Sequence, residues 1–132
     1  MSERRHVFTG GPFEDLVGYS RAVRVGRHVW VAGTTAAAPD GGAPVGGDDA
    51  YAQTVEALRR VVAALAEVGA SPADVVRTRM FVTDVGRWAE VGRAHGEVFA
   101  AVRPASTMVE VSRLIQPALL VEVEVEAWVG GA

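Results

Sequence analysis

Three glutamates near the end of the chain have the spacing that most favours chemistry. Glu122, Glu124 and Glu126 alternate with valines and an alanine in the run from 119 to 129. Successive side chains of a strand point to opposite faces, so the run predicts a strand with one apolar face and one face bearing three carboxyls. Neighbouring carboxylates repel each other, so that face needs water, cationic neighbours or a raised pKa. A raised pKa would suit acid–base catalysis, whereas a solvated face would be inert, and the pattern alone leaves both open.

Few other reactive groups are present. There is no cysteine, which excludes disulfides, thiolate metal ligands and cysteine nucleophiles. The three histidines are scattered, and no His/Asp/Glu spacing predicts a metal site. His95 falls in the apolar stripe of a predicted helix and is interpreted as a core histidine rather than a catalyst. No nucleophile-elbow or phosphate-loop pattern occurs.

Length and charge restrict the class of protein further. The 132 residues predict a single domain over residues 1–132. A net charge of −3 gives no basic footprint, which argues against nucleic acid as a partner. No apolar run approaches a membrane span, and no leader follows the charged start, so we expect a cytoplasmic protein without a membrane partner.

The first half is predicted to form a strand, a hairpin and a helix. An extended segment at 6–8 precedes a Gly/Pro loop, and strands at 20–25 and 28–33 flank the turn at Gly26. A glycine-rich loop follows. Asp48 or Asp49 caps a helix that stops at Gly69. Its apolar positions share one stripe: Leu58, Val61, Val62, Leu65 and Val68.

The second half supplies a strand, a helix and two further strands. After a helical turn at 71–74, a strand at 76–82 places Val76, Thr78, Met80 and Val82 on one side and Arg77, Arg79 and Phe81 on the other. A helix at 87–99 has the stripe Trp88, Val91, His95, Val98 and Phe99. Strands at 106–111 and 119–129 complete the chain.

This order of elements predicts an α+β fold, with a single mixed sheet and both helices on one face. The other face of the sheet would carry the three glutamates with Trp128. Part of this face must contact another subunit unless the whole face is exposed to solvent. A cyclic homo-oligomer with clefts where the sheets abut is therefore expected.

Several segments resemble a known family. Residues 103–111 read RPASTMVEV, residues 120–124 read LVEVE, residues 31–34 read VAGT and residues 77–84 read RTRMFVTD. Together they are similar to the signature of the Rid family, also called YjgF/YER057c/UK114, of reactive-intermediate deaminases. The resemblance implies a chorismate-mutase-like fold with a six-stranded sheet, a homotrimer, and three small-molecule clefts between subunits. Deaminating members hydrolyse enamines and imines such as 2-aminoacrylate to keto acids and ammonia, without a cofactor.

The resemblance also implies which residues line the cleft. Carried over by position, they are Tyr19, the backbone at Gly33, Ser106, Thr107, Met108 and Glu122. Glu122 is the candidate catalytic residue, since imine hydrolysis needs a group that positions and deprotonates water, with Glu124 as the alternative if the register shifts. The Tyr19 hydroxyl would hold a water or a polar substrate atom, or its ring would fill a subunit seam.

One position departs from the deaminating members. An arginine that clamps the substrate carboxylate follows the Pro-Ala pair in those proteins, and here Ser106 takes its place. Loss of a bidentate charged contact costs roughly ten- to a hundredfold in binding, so 2-aminoacrylate should be a poor substrate. Arg103 and Arg113 are candidate substitutes, although strand alternation would point Arg103 to the face opposite Ser106.

Two function classes follow from this departure. The first is an enzyme acting on an imine, enamine or related carbonyl compound that lacks a carboxylate or carries it elsewhere. The second is a trimer that binds a small molecule or a protein without catalysis. Some family members are described as ribonucleases, an activity that this acidic chain does not favour.

Overall fold

A six-stranded mixed sheet packs against two helices in the computed structural model, which describes residues 3–130. The strands are β1 (Arg4–Val7), β2 (Ala22–Val25), β3 (His28–Thr34), β4 (Val75–Val82), β5 (Ala105–Glu110) and β6 (Val121–Trp128), and the helices are α1 (Ala50–Glu67) and α2 (Trp88–Phe99). The strand order is β1-β2-β3-β6-β4-β5, and only β4 and β5 pair in parallel. The predicted α+β architecture is confirmed.

Local signals account for the ends of these elements. The turn between β2 and β3 contains Gly26 at φ 60°, a conformation that favours glycine. Asp49 caps α1 by accepting a hydrogen bond from the amide of Ala52, and α1 ends before Gly69 at φ 77°. The predicted hairpin and the limits of the first helix are therefore confirmed.

The core lies between the helices and one face of the sheet. It includes Leu58 and Leu65 of α1, Phe99 of α2, and Val121 and Val123 of β6, all at most 1% exposed. Gln53 of α1 is also fully buried, and its amide group donates to the carbonyls of Gly47 and Ala118 and accepts from the amide of Leu120. A single side chain thus anchors the segment that leads into β6.

Three local predictions are wrong, and one short element was missed. A register shift between β4 and β6 at Val75/Arg77 buries Val75 and leaves Val76 49% exposed. Trp88 is 62% exposed, because it begins α2 outside the stripe formed by Val91, Ala94 and Phe99. The last strand begins at Val121 rather than 119, although Leu119 is buried. A short π-helical turn at Glu14–Gly18 was not predicted.

The face of the sheet opposite the helices combines charges with large aromatic groups. Arg79 of β4 pairs with Glu124 at 3.1 Å and Glu126 at 3.5 Å, which supplies the cation that adjacent carboxylates require. The His28 ring stacks on Trp30 at 3.9 Å between centroids. Trp30 and Trp128 are 41% and 51% exposed. No helix within residues 3–130 is long and apolar enough to cross a membrane.

Candidate functional site

Glu122 of β6 packs directly over Gly33 of β3. A Cβ at position 33 would overlap Oε2 of Glu122 and lie 2.9 Å from its Cδ, so only glycine admits the carboxyl group in this position. Burial raises the pKa of Glu122 above its ordinary value; nearby Arg21 opposes this rise and Glu124 adds to it. Glu122 is therefore a partly desolvated carboxyl that differs from the ion-paired Glu124 and Glu126 beside it.

Arg21, just before β2, connects Glu122 with the other predicted residues on this face. Its Nη1 donates to the carbonyl of Gly33 at 2.6 Å and to Oγ1 of Thr34 at 2.9 Å, and its Nη2 donates to the Tyr19 hydroxyl at 3.2 Å. The guanidinium also lies 5.5 Å from the centre of the Tyr19 ring. Tyr19, Gly33 and Glu122 are thus gathered around one arginine, Arg21, which the sequence analysis did not single out.

A second acid completes this cluster. Glu14 is buried and accepts hydrogen bonds from the amides of Thr9 and Gly10 and from the Thr9 hydroxyl. Burial alone would raise the pKa of Glu14, but these hydrogen bonds and Arg21, 3.9 Å away, lower it below its usual value. Glu14 therefore remains ionised and shares Arg21 with Glu122.

The three predicted residues of β5 divide between the two faces of the sheet. Ser106 lies opposite Thr78 in the parallel pair, and Thr78, which is buried, donates a hydrogen bond of 2.8 Å from Oγ1 to Oγ of Ser106. Met108 also faces the helices and packs against the core. Thr107 alternates with them and lies opposite Arg79, on the same face as Glu122.

The predicted site residues therefore form two groups on opposite faces of the sheet. Tyr19, Gly33, Thr107 and Glu122 share the face away from the helices, whereas Ser106 and Met108 share the face that the helices cover. Ser106 and Glu122 cannot line one cleft within a single subunit. A cleft that contains both requires the second chain that the sequence analysis expected.

An open pocket of about 350 Å³ lies beside the Ser106 group, lined by His95, Gly96, Phe99, Ala100, Arg103 and Pro104. Nε2 of His95 is 2.8 Å from Oγ1 of Thr78, and the His95 ring lies 4.8 Å from that of Phe99. Burial lowers the pKa of His95. Arg103 has φ 57° and precedes β5, so the strand alternation that would place it on the opposite face does not apply to it.

Metal binding has no support in the part of the chain that the structure describes. Within residues 3–130, no three His, Asp or Glu side chains are gathered so that they could hold an ion.

We expect Gly33→Ala to impair Glu122 without unfolding the protein. The three atoms nearest the added Cβ all belong to the Glu122 side chain, which can rotate away, so the thermal midpoint should change little while the carboxyl leaves its position. Misplacement of a group that acts on a substrate is costly, so we expect a loss of about tenfold in any turnover that depends on Glu122.

Turnover and thermal unfolding of Gly33→Ala, measured together, check this expectation. Gly130→Ala is the matched control, because a Cβ there meets only Trp128 at 4.0 Å. Full activity in Gly33→Ala would contradict the role given to this contact.

The sheet order, with both helices on one face, defines a YjgF-type α+β fold. The chain belongs to the Rid (YjgF/YER057c/UK114) family, and its residues 12–129 match the family model described as Endoribonuclease L-PSP.

Three relatives illustrate the range of the family. The crystal structure of Rv2704 from Mycobacterium tuberculosis, of the YjgF/YER057c/UK114 family, is 52% identical, with a TM-score of 0.87 over 96% of this chain and 99% of the other. A RutC family protein of Pyrococcus abyssi is 34% identical, over 92% and 94% of the two chains. The 2-iminobutanoate/2-iminopropanoate deaminase of Salmonella typhimurium is 32% identical, over 83% and 84%.

Proposed function

We propose that the protein hydrolyses an imine, an enamine or a related small carbonyl compound in clefts between the subunits of a homotrimer, with Glu122 as the catalytic base. The observation that carries this proposal is the Glu122 carboxyl, packed on Gly33 and with its pKa raised by burial. A raised pKa brings a carboxylate closer to the basicity that proton transfer near neutral pH requires. The deaminase activity in the name of the Salmonella relative supports the same reaction class.

The reaction needs one proton acceptor and one orienting group. Glu122 takes a proton from water as the water oxygen bonds to the imine carbon, the C=N electron pair moves to nitrogen, and the protonated Glu122 returns the proton to that nitrogen to give an amino alcohol. Ionised Glu122 then moves the hydroxyl proton to the amino group as the C=O bond forms and the C–N bond breaks, so imine and water give a carbonyl compound and ammonia. The Tyr19 hydroxyl, already in contact with Arg21, is placed to hold the water or a polar substrate atom.

The proposed cleft takes its two sides from two chains. One chain supplies Tyr19, Gly33 and Glu122, and its neighbour supplies Ser106 and Met108, because these groups lie on opposite faces of the sheet. Exposed aromatic side chains on the first face suit contact with another subunit: Trp30 and Trp128 are 41% and 51% exposed.

We expect light scattering to give a mass about three times the 13.9 kDa of one chain. A trimer would bury the aromatic face of each sheet and complete all three clefts. A monomer at micromolar concentration would contradict the proposal, since no chain could then assemble the site.

The reaction can be tested with imines generated in solution. An amino-acid oxidase converts a panel of amino acids and amines to imines, semicarbazide traps what remains, and the loss of trapped product with added protein measures hydrolysis. Acceleration for at least one imine, absent with heat-denatured protein, is the expected result. No acceleration across the panel would reject the enzyme.

Ser106 favours a second candidate, a trimer that binds a small molecule or a protein without turning it over. A serine brings no charge to the position where deaminating relatives carry arginine, and catalysis of small acids depends on that contact. Saturable binding of a carbonyl compound without imine hydrolysis would select this candidate. In both cases we propose a small molecule rather than RNA as the ligand, because the net charge of −3 gives no phosphate-binding surface.

A further inference from the structure

Arg103 has a backbone conformation that residues with a Cβ seldom adopt. Its φ of 57° makes it the one non-glycine residue with positive φ in residues 3–130. Its amide donates to the carbonyl of Phe99 at 2.8 Å, and Pro104 follows it. At this turn Arg103 lines the pocket at the end of α2 and lies outside the strand β5.

Arg103 is also the pocket's only permanent charge. The other lining residues are His95, Gly96, Phe99, Ala100 and Pro104. Burial lowers the pKa of His95, which keeps its ring neutral at physiological pH. Within residues 3–130, Arg103 has no hydrogen-bond or carboxylate partner for its guanidinium, whereas Arg24 and Arg60 both donate to backbone carbonyls. Its charge is therefore available to a ligand.

A chain of hydrogen bonds joins this pocket to Ser106. Thr78 has a single hydroxyl proton, which it donates to Ser106, so the His95–Thr78 contact is satisfied by a proton on Nε2 of His95. The Ser106 hydroxyl then has its own proton free to donate elsewhere. The arginine pocket and an oriented donor are thus linked through His95 and Thr78.

We propose that Arg103 and its pocket bind a carboxylate of the ligand, in place of the guanidinium that is absent at position 106. The inference rests on the proposed function, since it concerns the same cleft. Arg103 approaches from the end of α2 rather than from β5, so the carboxylate it binds is not attached to the reacting carbon. The ligand class is an imine, or the corresponding oxo acid, with a short aliphatic spacer that packs on Phe99 and Pro104.

The test compares a charged ligand with its neutral counterpart. Wild-type protein is titrated with 4-oxopentanoate and with 4-oxopentanamide, and NMR shift changes give both dissociation constants. We expect about tenfold tighter binding of the acid, as for a charge-assisted contact. Arg103→Gln should remove this preference while leaving amide binding unchanged, and Arg103→Lys should retain part of it, because lysine keeps the charge without the planar fork.

Arg4→Gln is the matched control, since it removes one exposed arginine from β1, at the opposite edge of the sheet. It should keep the full preference for the acid. Equal binding of acid and amide, a preference that survives Arg103→Gln, or a preference lost in Arg113→Gln instead would overturn this inference and leave the proposed function standing. Failure to bind either compound would overturn the inference as well, and with no imine turnover it would overturn the proposed function too.

Discussion

Glu122→Gln is expected to slow imine hydrolysis by about 10²–10⁴-fold, the usual contribution of a positioned general base. Glutamine keeps the shape that fits over Gly33 but cannot accept the proton of the attacking water. The oxidase-coupled assay, with semicarbazide trapping, measures this loss on the best imine of the panel.

The pH dependence of wild-type activity should report the ionisation of Glu122. Glu122 acts as a base only when ionised, and burial raises its pKa, so activity should fall on acidification at a higher pH than an exposed glutamate would give. The raised pKa also means that ionisation of Glu122 disfavours the folded state as pH increases through that range. Glu122→Gln should therefore be no less stable than wild type at neutral pH, which separates loss of chemistry from loss of fold.

Comparison of Glu124→Gln with Glu122→Gln decides which of the two glutamates is the catalytic base. Glu124 faces the same way but pairs with Arg79, so its loss should cost far less activity. A larger loss in Glu124→Gln than in Glu122→Gln would move the catalytic role to Glu124, and full activity in Glu122→Gln would reject a carboxylate base at this position.

Ser106→Arg is expected to increase hydrolysis of 2-aminoacrylate by roughly ten- to a hundredfold over a slow wild type, the value of a charged bidentate contact. This substrate offers little besides its carboxylate and its enamine nitrogen, so its orientation for water attack should depend on a cation such as the arginine that the family resemblance implies at this position. A dehydratase that produces 2-aminoacrylate from serine is coupled to the protein, and the lifetime of the intermediate is followed.

Ser106→Gln serves as the uncharged control for Ser106→Arg, since it adds length without a cation and should give no gain. A wild type as fast as an arginine-bearing relative would show that another cation orients this substrate and that Ser106 does not limit it. No activity in either protein would favour the non-catalytic binder over the enzyme.

The fold was predictable where the signal was local. The alternation within 121–128, the Asp49 cap and Gly69 stop of α1, and the turn at Gly26 each act within a few residues, and the structure has all of them. The register shift that exposes Val76 depends on how β4 meets β6, far along the chain, and leaves no mark in the apolar pattern. Gln53 is buried for a similar reason, since its partners Gly47, Ala118 and Leu120 are brought together only by folding.

Some residues of the candidate site were likewise predictable from the sequence, and others were not. Alternation placed Glu122 away from the helices, and the resemblance added Gly33 and Tyr19. Arg21 and Glu14 were missed because their partners lie in separate segments, although the position of Arg21 only two residues after Tyr19 was a usable signal. The orientation of Ser106 was not predictable, because every residue of β5 is at least partly exposed and no apolar face marks its inner side.

Because Glu122 and Ser106 occupy opposite faces of one sheet, the proposed cleft can be tested by complementation between mutant alleles. An allele that damages Glu122 leaves the β5 side of the same chain intact, and an allele that damages the β5 side leaves Glu122 intact. Each mixed trimer of the two would unite undamaged halves at one of its three clefts, since each cleft draws one half from each of two chains. Two inactive alleles would therefore complement each other across the sheet, whereas alleles at Glu122 and Gly33, on the same face, would not.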